Sequence, residues 1–563
     1  MLTFSRDPQV AERQMQAVIF YLTTFGYIDG DFDASEKEFV RDYIRKLVEH
    51  RVATGMPDAD QKLRDELTAR FTIHFHEVFE GVDRTVSDLF TEAVSSEEDQ
   101  NRFVHAKLKL RCFEIFKSFD ERGQEELMET VDELIHADGQ VHPAELQFRN
   151  ELSALLEAEL GVELVEEGAA RPSIELRGPR SVQILKDNHP FFAQFEHHYS
   201  RAPELMAKQV GADRALIDRT VAGFEAQQRA GAGKLAGHKS VSELAGEEPF
   251  LDGHVYVTPP RPGKTYELTV LGDLHGCYSN LKAALLQSQF FEKVEAFRAE
   301  PDKNPEPKLV LLGDYIDRGL FSMNGVLRTV MQIFATAPEH VYVLRGNHEY
   351  YIEFKGQVYG GVKPAESINT LKPHLPIEVF RDYMRLFDAM PNMLLFGRIL
   401  LVHGGIPRDL LIKERYEDLS SLNDPDIRFQ MMWSDPSSAD VIPAALQEQS
   451  ARFPFGRLQA TAFLQRMGCH TLIRGHEKVD QGFKSHYDDV NVCVCTVFSA
   501  GGTTNEDLPA DSSYRSVTPM ALTLEVRDDD VKLTPWLIDY ERYNDPERNS
   551  FFKAPPEIEH RME

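Results

Sequence analysis

Leu311-Leu312-Gly313-Asp314-Tyr315-Ile316-Asp317-Arg318-Gly319 decides how the rest of this chain is read. It follows Lys308-Leu309-Val310, so an apolar run of strand length ends abruptly in Gly-Asp. Two carboxylates, an arginine and two glycines then fall close together. A buried strand has no use for that chemistry at its end, whereas a site for a metal ion and a phosphate has.

Outward from this stretch, strand-like apolar runs at 266–271, 308–312, 340–344, 398–402, 469–473 and 491–498 alternate with loops and helices. Runs at 520–526 and 531–538 add a β-rich tail to this α/β pattern. The first five runs end in polar, glycine-rich turns. These are Gly272-Asp273-Leu274-His275-Gly276, Gly313-Asp314 through Arg318-Gly319, and Arg345-Gly346-Asn347-His348-Glu349, followed by His403-Gly404-Gly405 and Arg474-Gly475-His476-Glu477. Loops at the carboxyl ends of adjacent strands converge, so one crevice would collect all five. Glycine lets the backbone turn sharply and approach an ion or a phosphate. Together the turns offer two Asp, one Asn and three His with no thiolate, a set that suits two borderline-hard cations such as Mn, Fe or Zn. Two close ions need a bridging carboxylate, and the opening stretch offers one.

These five turns, in this order, resemble the phosphoprotein phosphatase family of Ser/Thr phosphatases, within the calcineurin-like metallophosphoesterases. Met432-Trp433-Ser434-Asp435-Pro436 also matches that family's WSDP turn, and the spacing from Phe455-Gly456 to His476 fits. The resemblance covers about residues 250–545. It implies an α/β (α+β) metallophosphoesterase β-sandwich flanked by helices, and a dinuclear enzyme that hydrolyses phosphoserine or phosphothreonine by direct attack of metal-bound hydroxide. Carried over residue by residue, Asp273, His275 and Asp314 hold one metal. Asp314, Asn347, His403 and His476 hold the other, with Asp314 bridging. Arg318 grips the phosphate through its planar fork, Asn347 adds a donor, and His348 is the general acid that Asp317 orients. A bland alternative has Arg318 merely pairing with Asp317. Arg345 and Arg474 read as structural, and Glu349 and Glu477 as groups that fix loops.

The match departs from the family in two places. The second phosphate arginine is expected before the Phe-Gly turn in an Arg-Gly context, but here the segment is Ser450-Ala451-Arg452-Phe453-Pro454-Phe455-Gly456, which leaves Arg452 as the candidate. The SAPNY segment is replaced by Ser499-Ala500-Gly501-Gly502-Thr503-Thr504, so the aromatic residue of the active-site rim is missing there. Diadenosine tetraphosphate hydrolases share the motif set, which keeps a small-phosphoester hydrolase as the alternative. A scaffold with a vestigial catalytic domain is the third reading, opposed by the complete ligand set.

Residues 1–165 read as all-helical, with apolar residues three and four apart, as at Val18, Tyr21, Leu22 and Phe25. Ile28-Asp29-Gly30 through Glu36 aligns without a gap with Ala137-Asp138-Gly139 through Glu145. This repeated Asp-Gly turn resembles the TerB-like helical family and implies a regulatory or partner-binding module. It is not an EF-hand, because the sixth, eighth and twelfth places hold Ala34, Glu36 and Val40. Residues 166–250 read as helical or flexible linkage, 251–545 as the catalytic domain and 546–563 as a tail.

The length of 563 residues exceeds one ordinary core, and 42 % hydrophobic with 27 % charged residues is ordinary globular composition. A net charge of −29 repels phosphate backbones and argues against nucleic acid as a partner. The expected partners are a phosphorylated protein substrate and a regulatory protein, with no membrane: no apolar run is long enough to span one. MLTFSRDPQVAERQ lacks the pattern of a secretory signal, and Cys112, Cys277, Cys469, Cys493 and Cys495 form no paired framework, so a reducing cytoplasm is expected.

Overall fold

Among the described residues, the helical periodicity of the first part of the chain is realised as six helices, Pro8–Gly26, Ala34–Gly55, Gln61–Leu89, Gln100–Lys117, Glu121–Ile135 and Pro143–Glu157. The computed structural model describes residues 7–27, 32, 34–56, 60–90, 92, 94–135, 143–157, 173–259, 261–489, 492–528, 530–555 and 557–558. Both Asp-Gly turns fall almost wholly outside these residues, as does the break at 168–172. By contacts the chain divides into two compact units, one of residues 1–161 with 437–454, the other of residues 162–436 with 455–563.

The first unit is helical. Asp60 and Asp99 cap two of its helices by accepting hydrogen bonds from Leu63 N at 2.8 Å and Arg102 N at 3.1 Å. Ile19, Ile44, Phe79, Phe103, Phe113 and Leu152 close its core. Residues 437–454 come from far downstream yet complete that core: Ile442 and Leu446 are buried within it. Ser437 Oγ and Ser438 N donate to the buried Glu114 carboxylate at 2.5 and 3.0 Å. Burial of two such aliphatic side chains is worth about 3–6 kcal/mol, enough to hold the insert in place.

The second unit carries two seven-stranded sheets. In the first, Ser173–Leu176, Asp530–Leu537, Met520–Arg527, Thr265–Leu271, Glu306–Leu311 and Val341–Val343 follow one another, and Arg180–Ser181 also pairs with Asp530–Leu537. In the second the order is Phe483–Asp488, Cys493–Val497, Thr471–Arg474, Ile399–Val402, Met393–Phe396, Val255–Thr258 and Phe250–Asp252. All eight strand-like runs read from the sequence are present, their ends shifted by one or two residues. Leu268, Val270, Val310 and Leu344 face Leu401, Ile473, Cys495 and Val497 between the sheets. Helices cover both outer faces, which gives the helix-flanked α/β sandwich that was expected. The 166–250 region does more than link. Its helix Pro203–Gly231 buries Ile217, Val221 and Phe224 in this unit, with the Phe224 ring tilted against Phe334 at 4.4 Å, and Asp213 takes a bidentate pair from Arg328 at 2.7 and 2.9 Å.

Thr265–Leu271, Glu306–Leu311 and Val341–Val343 run parallel, so their C-terminal turns emerge along one edge. Ile399–Val402, Thr471–Arg474 and Cys493–Val497 do the same in the other sheet. A lone bridge between Asp273 and Phe498 ties the two sheets at that edge.

Candidate metal centre

Each turn at this edge bends sharply under the carboxyl end of a strand. His275, Asp314, Asp317, Arg318 and His476 all take left-handed backbone conformations, with φ of 41°, 54°, 69°, 66° and 69°. Such conformations cost a non-glycine residue of order 1–3 kcal/mol and persist only where the surroundings impose them. Glu349 supplies much of that constraint. Its buried carboxylate accepts from Asp314 N and Tyr315 N at 2.8 Å and from Gly346 N at 3.0 Å. Burial and the neighbouring Asp314 push its carboxyl up to about 7. Gly346 is obligatory, since a Cβ there would lie 2.2 Å from Asp314 Oδ1.

Asp273, His275, Asp314, Asn347, His403 and His476, the six residues expected as metal ligands, come together and are buried. His403 Nε2 lies 3.3 Å from Asp314 Oδ1 and 2.8 Å from Asn347 Oδ1, which is in turn 3.0 Å from His476 Nδ1. On the other side, His275 Nε2 is 3.5 Å from Asp314 Oδ2 and 3.7 Å from Asp273 Oδ2. Asp314 is thus common to both halves. Among the described residues two triads have mutually close ligand atoms, His275–Asp314–His348 and Asp314–His403–His476.

The donor chemistry fits divalent cations. The Nδ1–H groups of His275 and His403 donate to the carbonyls of Ile316 and Leu312 at 2.9 and 3.0 Å, which directs each Nε2 at the carboxylates. Ligating histidines are held in this way. Asp273 Oδ2 is buried and accepts no hydrogen bond. Burial and the charge of His348 push His275 down to about 3, so its Nε2 keeps a lone pair. Burial and Asp314 push Asp273 up to about 6, while burial of Asp314 is outweighed by His403, His348 and His275, which hold it well below the usual carboxylate range. Lone pairs that converge on one buried point require positive charge there.

Next to this cluster His348 Nδ1 lies 2.7 Å from Asp317 Oδ2, with both groups buried. Burial disfavours the imidazolium, but Asp314 and Asp317 outweigh it and raise the His348 pKa. Nε2 is thereby turned towards the metal residues, 3.9 Å from Asp314 Oδ2. Arg318 lies in the same loop. Its partner is Glu366, whose Oε1 accepts from Nη1 at 2.9 Å, and not Asp317. Arg474 is structural: it donates to Gly404 O, Thr496 Oγ1 and Asp435 Oδ1. Arg345 likewise donates to Glu349 O.

Arg452 is placed in the helical unit. It is 6 % exposed, and its Nη1 lies 3.0 Å from Glu92 Oε2. An aromatic residue from further along the chain, Tyr514, lies beside the cluster, its ring 5.3 Å from His275 and edge-on to Phe498 at 5.4 Å. Arg515 staples that loop by donating to Thr503 O, Leu508 O and Pro509 O. Sequence reasoning missed Tyr514, Glu366 and Ser367, and nothing in their local sequence marks them.

Among known proteins, residues 266–480 match the family described as calcineurin-like phosphoesterase. This segment is a calcineurin-like phosphoesterase domain. The phosphoesterase domain is 29 % identical over 243 residues to the serine/threonine-protein phosphatase 6 catalytic subunit of Caenorhabditis elegans, covering 41 % of this chain and 64 % of that protein. It is 28 % identical over 237 residues to the phosphatase ppe1 of Schizosaccharomyces pombe, 41 % of this chain and 70 % of that one. A probable serine/threonine-protein phosphatase of Encephalitozoon cuniculi is 26 % identical over 42 % of this chain and 47 % of its own. The chain thus spans about half to two thirds of the length of these relatives. A Saccharomyces cerevisiae phosphatase structure, described as similar to human PP5, aligns at TM-score 0.36 and 16 % identity over 58 % of this chain and 89 % of its own. Among the described residues no helix is long and apolar enough to cross a membrane, and all five cysteines are buried free thiols.

Proposed function

We propose that this protein is a metal-dependent protein serine/threonine phosphatase, acting on phosphoserine and phosphothreonine, whose helical unit serves a regulatory or partner-binding role. One observation carries the catalytic reading: the buried Asp317–His348 pair stands beside six converging ligand-type residues. The named phosphatases that resemble the domain support the substrate class. Asp273, His275, Asp314, Asn347, His403 and His476 would hold two divalent cations, Mn, Fe or Zn, with Asp314 between them. Cations held there supply Lewis acidity towards phosphoryl oxygens and water.

The chain's own groups do the rest. Arg318 presents its guanidinium to the phosphate and neutralises charge that builds on the phosphoryl oxygens. His348 donates the proton at Nε2 to the departing serine or threonine oxygen, which is a poor leaving group without it. Asp317 keeps the opposite nitrogen protonated and holds the ring at 2.7 Å.

The test is a substrate panel with Mn²⁺ on wild type and His348→Asn. Phosphoserine and phosphothreonine peptides are expected to turn over, and the variant to lose roughly 10²–10⁴-fold on them. The loss on an activated aryl phosphate is expected to be far smaller, because its leaving group needs little acid. Equal losses on both substrates would remove His348 from this role. Faster turnover of a dinucleoside tetraphosphate than of any phosphopeptide would replace the protein substrate with a nucleotide.

A further inference from the structure

The Asp317–Arg318 turn is held by two consecutive residues that begin the short helix Glu366–Leu371. Ser367 grips Asp317 twice: Ser367 N donates to Asp317 Oδ1, and Asp317 N donates to Ser367 Oγ, both at 2.8 Å. One residue earlier, Glu366 Oε1 accepts from Arg318 Nη1 at 2.9 Å. Asp317, Ser367 and Glu366 are buried, with Ser367 at 0 % and Glu366 at 5 % exposure, and Arg318 is partly buried. Asp317 and Arg318 are successive left-handed residues, so the turn has no intrinsic preference for its shape. The exchange with Ser367 supplies that preference.

The division of labour follows from the atoms. With Asp317 Oδ1 committed to Ser367 N, Oδ2 is the oxygen left for His348 Nδ1. Glu366 occupies only Nη1 of Arg318 and leaves the Nε–H buried and without a partner. The Nε side of a guanidinium presents two parallel N–H groups, the fork that matches two phosphate oxygens. Glu366 Oε2 is also buried without a hydrogen bond, so the pair is single-pronged.

We propose that Glu366 and Ser367 are positioning residues of the phosphoesterase site, Ser367 aligning the Asp317–His348 proton donor and Glu366 aiming the open fork of Arg318 at the substrate phosphate. This rests on the phosphatase reading, in which Arg318 meets phosphate and His348 delivers a proton. Two mechanisms compete at Glu366. If it merely neutralised Arg318, its removal would strengthen phosphate binding by deleting a negative charge near the anion. If it aims the guanidinium, its removal weakens phosphate binding despite the more favourable charge.

The experiment measures inorganic phosphate binding by calorimetry on Mn²⁺-loaded protein, with kcat and KM on a phosphoserine peptide and an aryl phosphate. Glu366→Ala is expected to weaken phosphate binding and raise KM by about tenfold, as loss of a charge-assisted anchor implies. Glu366→Gln keeps the accepting oxygen and is expected to stay within about threefold of wild type. Ser367→Ala is expected to lower kcat on phosphoserine by roughly 10–100-fold, with KM little changed and a smaller loss on the aryl phosphate, and Ser367→Thr to restore it. Phosphate binding by Glu366→Ala as tight as wild type or tighter overturns the role of Glu366. A Ser367→Ala loss that is equal on both substrates, or no better in Ser367→Thr, overturns the role of Ser367. If Ser367→Ala fails to fold, as judged by its melting and Mn²⁺ content, Ser367→Thr against wild type decides its part. Wild type that binds phosphate yet cleaves no phosphopeptide would instead sink the phosphatase reading, while the phosphate arm of the test remains readable.

Discussion

Replacing Asp317 by asparagine removes one charge and leaves the shape of the side chain. The carboxylate lies 2.7 Å from His348 Nδ1 and is 1 % exposed, so solvent does not screen the pair. Hydrogen bonds to charged partners contribute about 1.5–3 kcal/mol. At 1.36 kcal/mol per decade, that is roughly 10–150-fold in kcat if the bond acts mainly on the proton-donating state. The amide cannot satisfy both neighbours. With its oxygen towards Ser367 N, its NH2 faces His348 Nδ1 and stabilises a neutral ring; with the amide flipped, Ser367 N faces an NH2 group. Asp317 and Asp314 raise the His348 pKa against burial, so activity that needs the imidazolium is present at low pH and lost as pH rises through that value. Asp317→Asn therefore moves the alkaline limb of kcat/KM to lower pH. The assay is phosphate release from a phosphoserine peptide from about pH 6 to about pH 9, on either side of the ordinary histidine range, with an aryl phosphate as control. Wild-type kcat and an unmoved alkaline limb, in a variant that retains its Mn²⁺, would refute the reasoning.

Further outcomes are expected. Gly475→Ala places a Cβ 2.3 Å from Asp273 Oδ1, displaces that carboxylate, and should lower bound Mn²⁺ per chain as read by metal analysis. Metal affinity should fall about tenfold per pH unit below about pH 6, where the Asp273 carboxyl takes up a proton, as calorimetry at two pH values would read. In the metal-free protein the sign is opposite: the raised Asp273 pKa means the folded state binds the extra proton, so stability falls as pH rises from about 4 to about 6. Deleting residues 1–161 strips the cover from Ile442 and Leu446, and the remainder should associate on a sizing column. Replacing 437–454 by a short flexible linker as well should give a monodisperse protein.

The ligand set was legible because each member stands at the end of a strand-like run, in a turn whose glycine and polar residues have no structural use there. Asp314, His403 and His476 fall where that pattern puts them. The supports of the site were not legible. Glu366 and Ser367 stand 48 and 50 residues from their partners and begin a six-residue helix with no distinctive composition. Tyr514 comes within 5.3 Å of His275 from the short 3-10 helix Ser513–Ser516, beyond the segment where an aromatic was sought, so only the folded chain reveals it. Arg452 is a different case. Its sequence position before Phe-Gly pointed to phosphate, whereas its ion-pair partner in the structure is Glu92 of the helical unit, encoded 360 residues earlier.

The 437–454 insert also has a meaning for biogenesis. The helices before residue 161 leave the ribosome well ahead of Ile442 and Leu446, which pack in their core and are translated nearly 300 residues after residue 161. At 5–20 residues per second that delay is about 15–60 s. Until then the apolar surface that Ile442 and Leu446 cover in the folded unit has no cover from them.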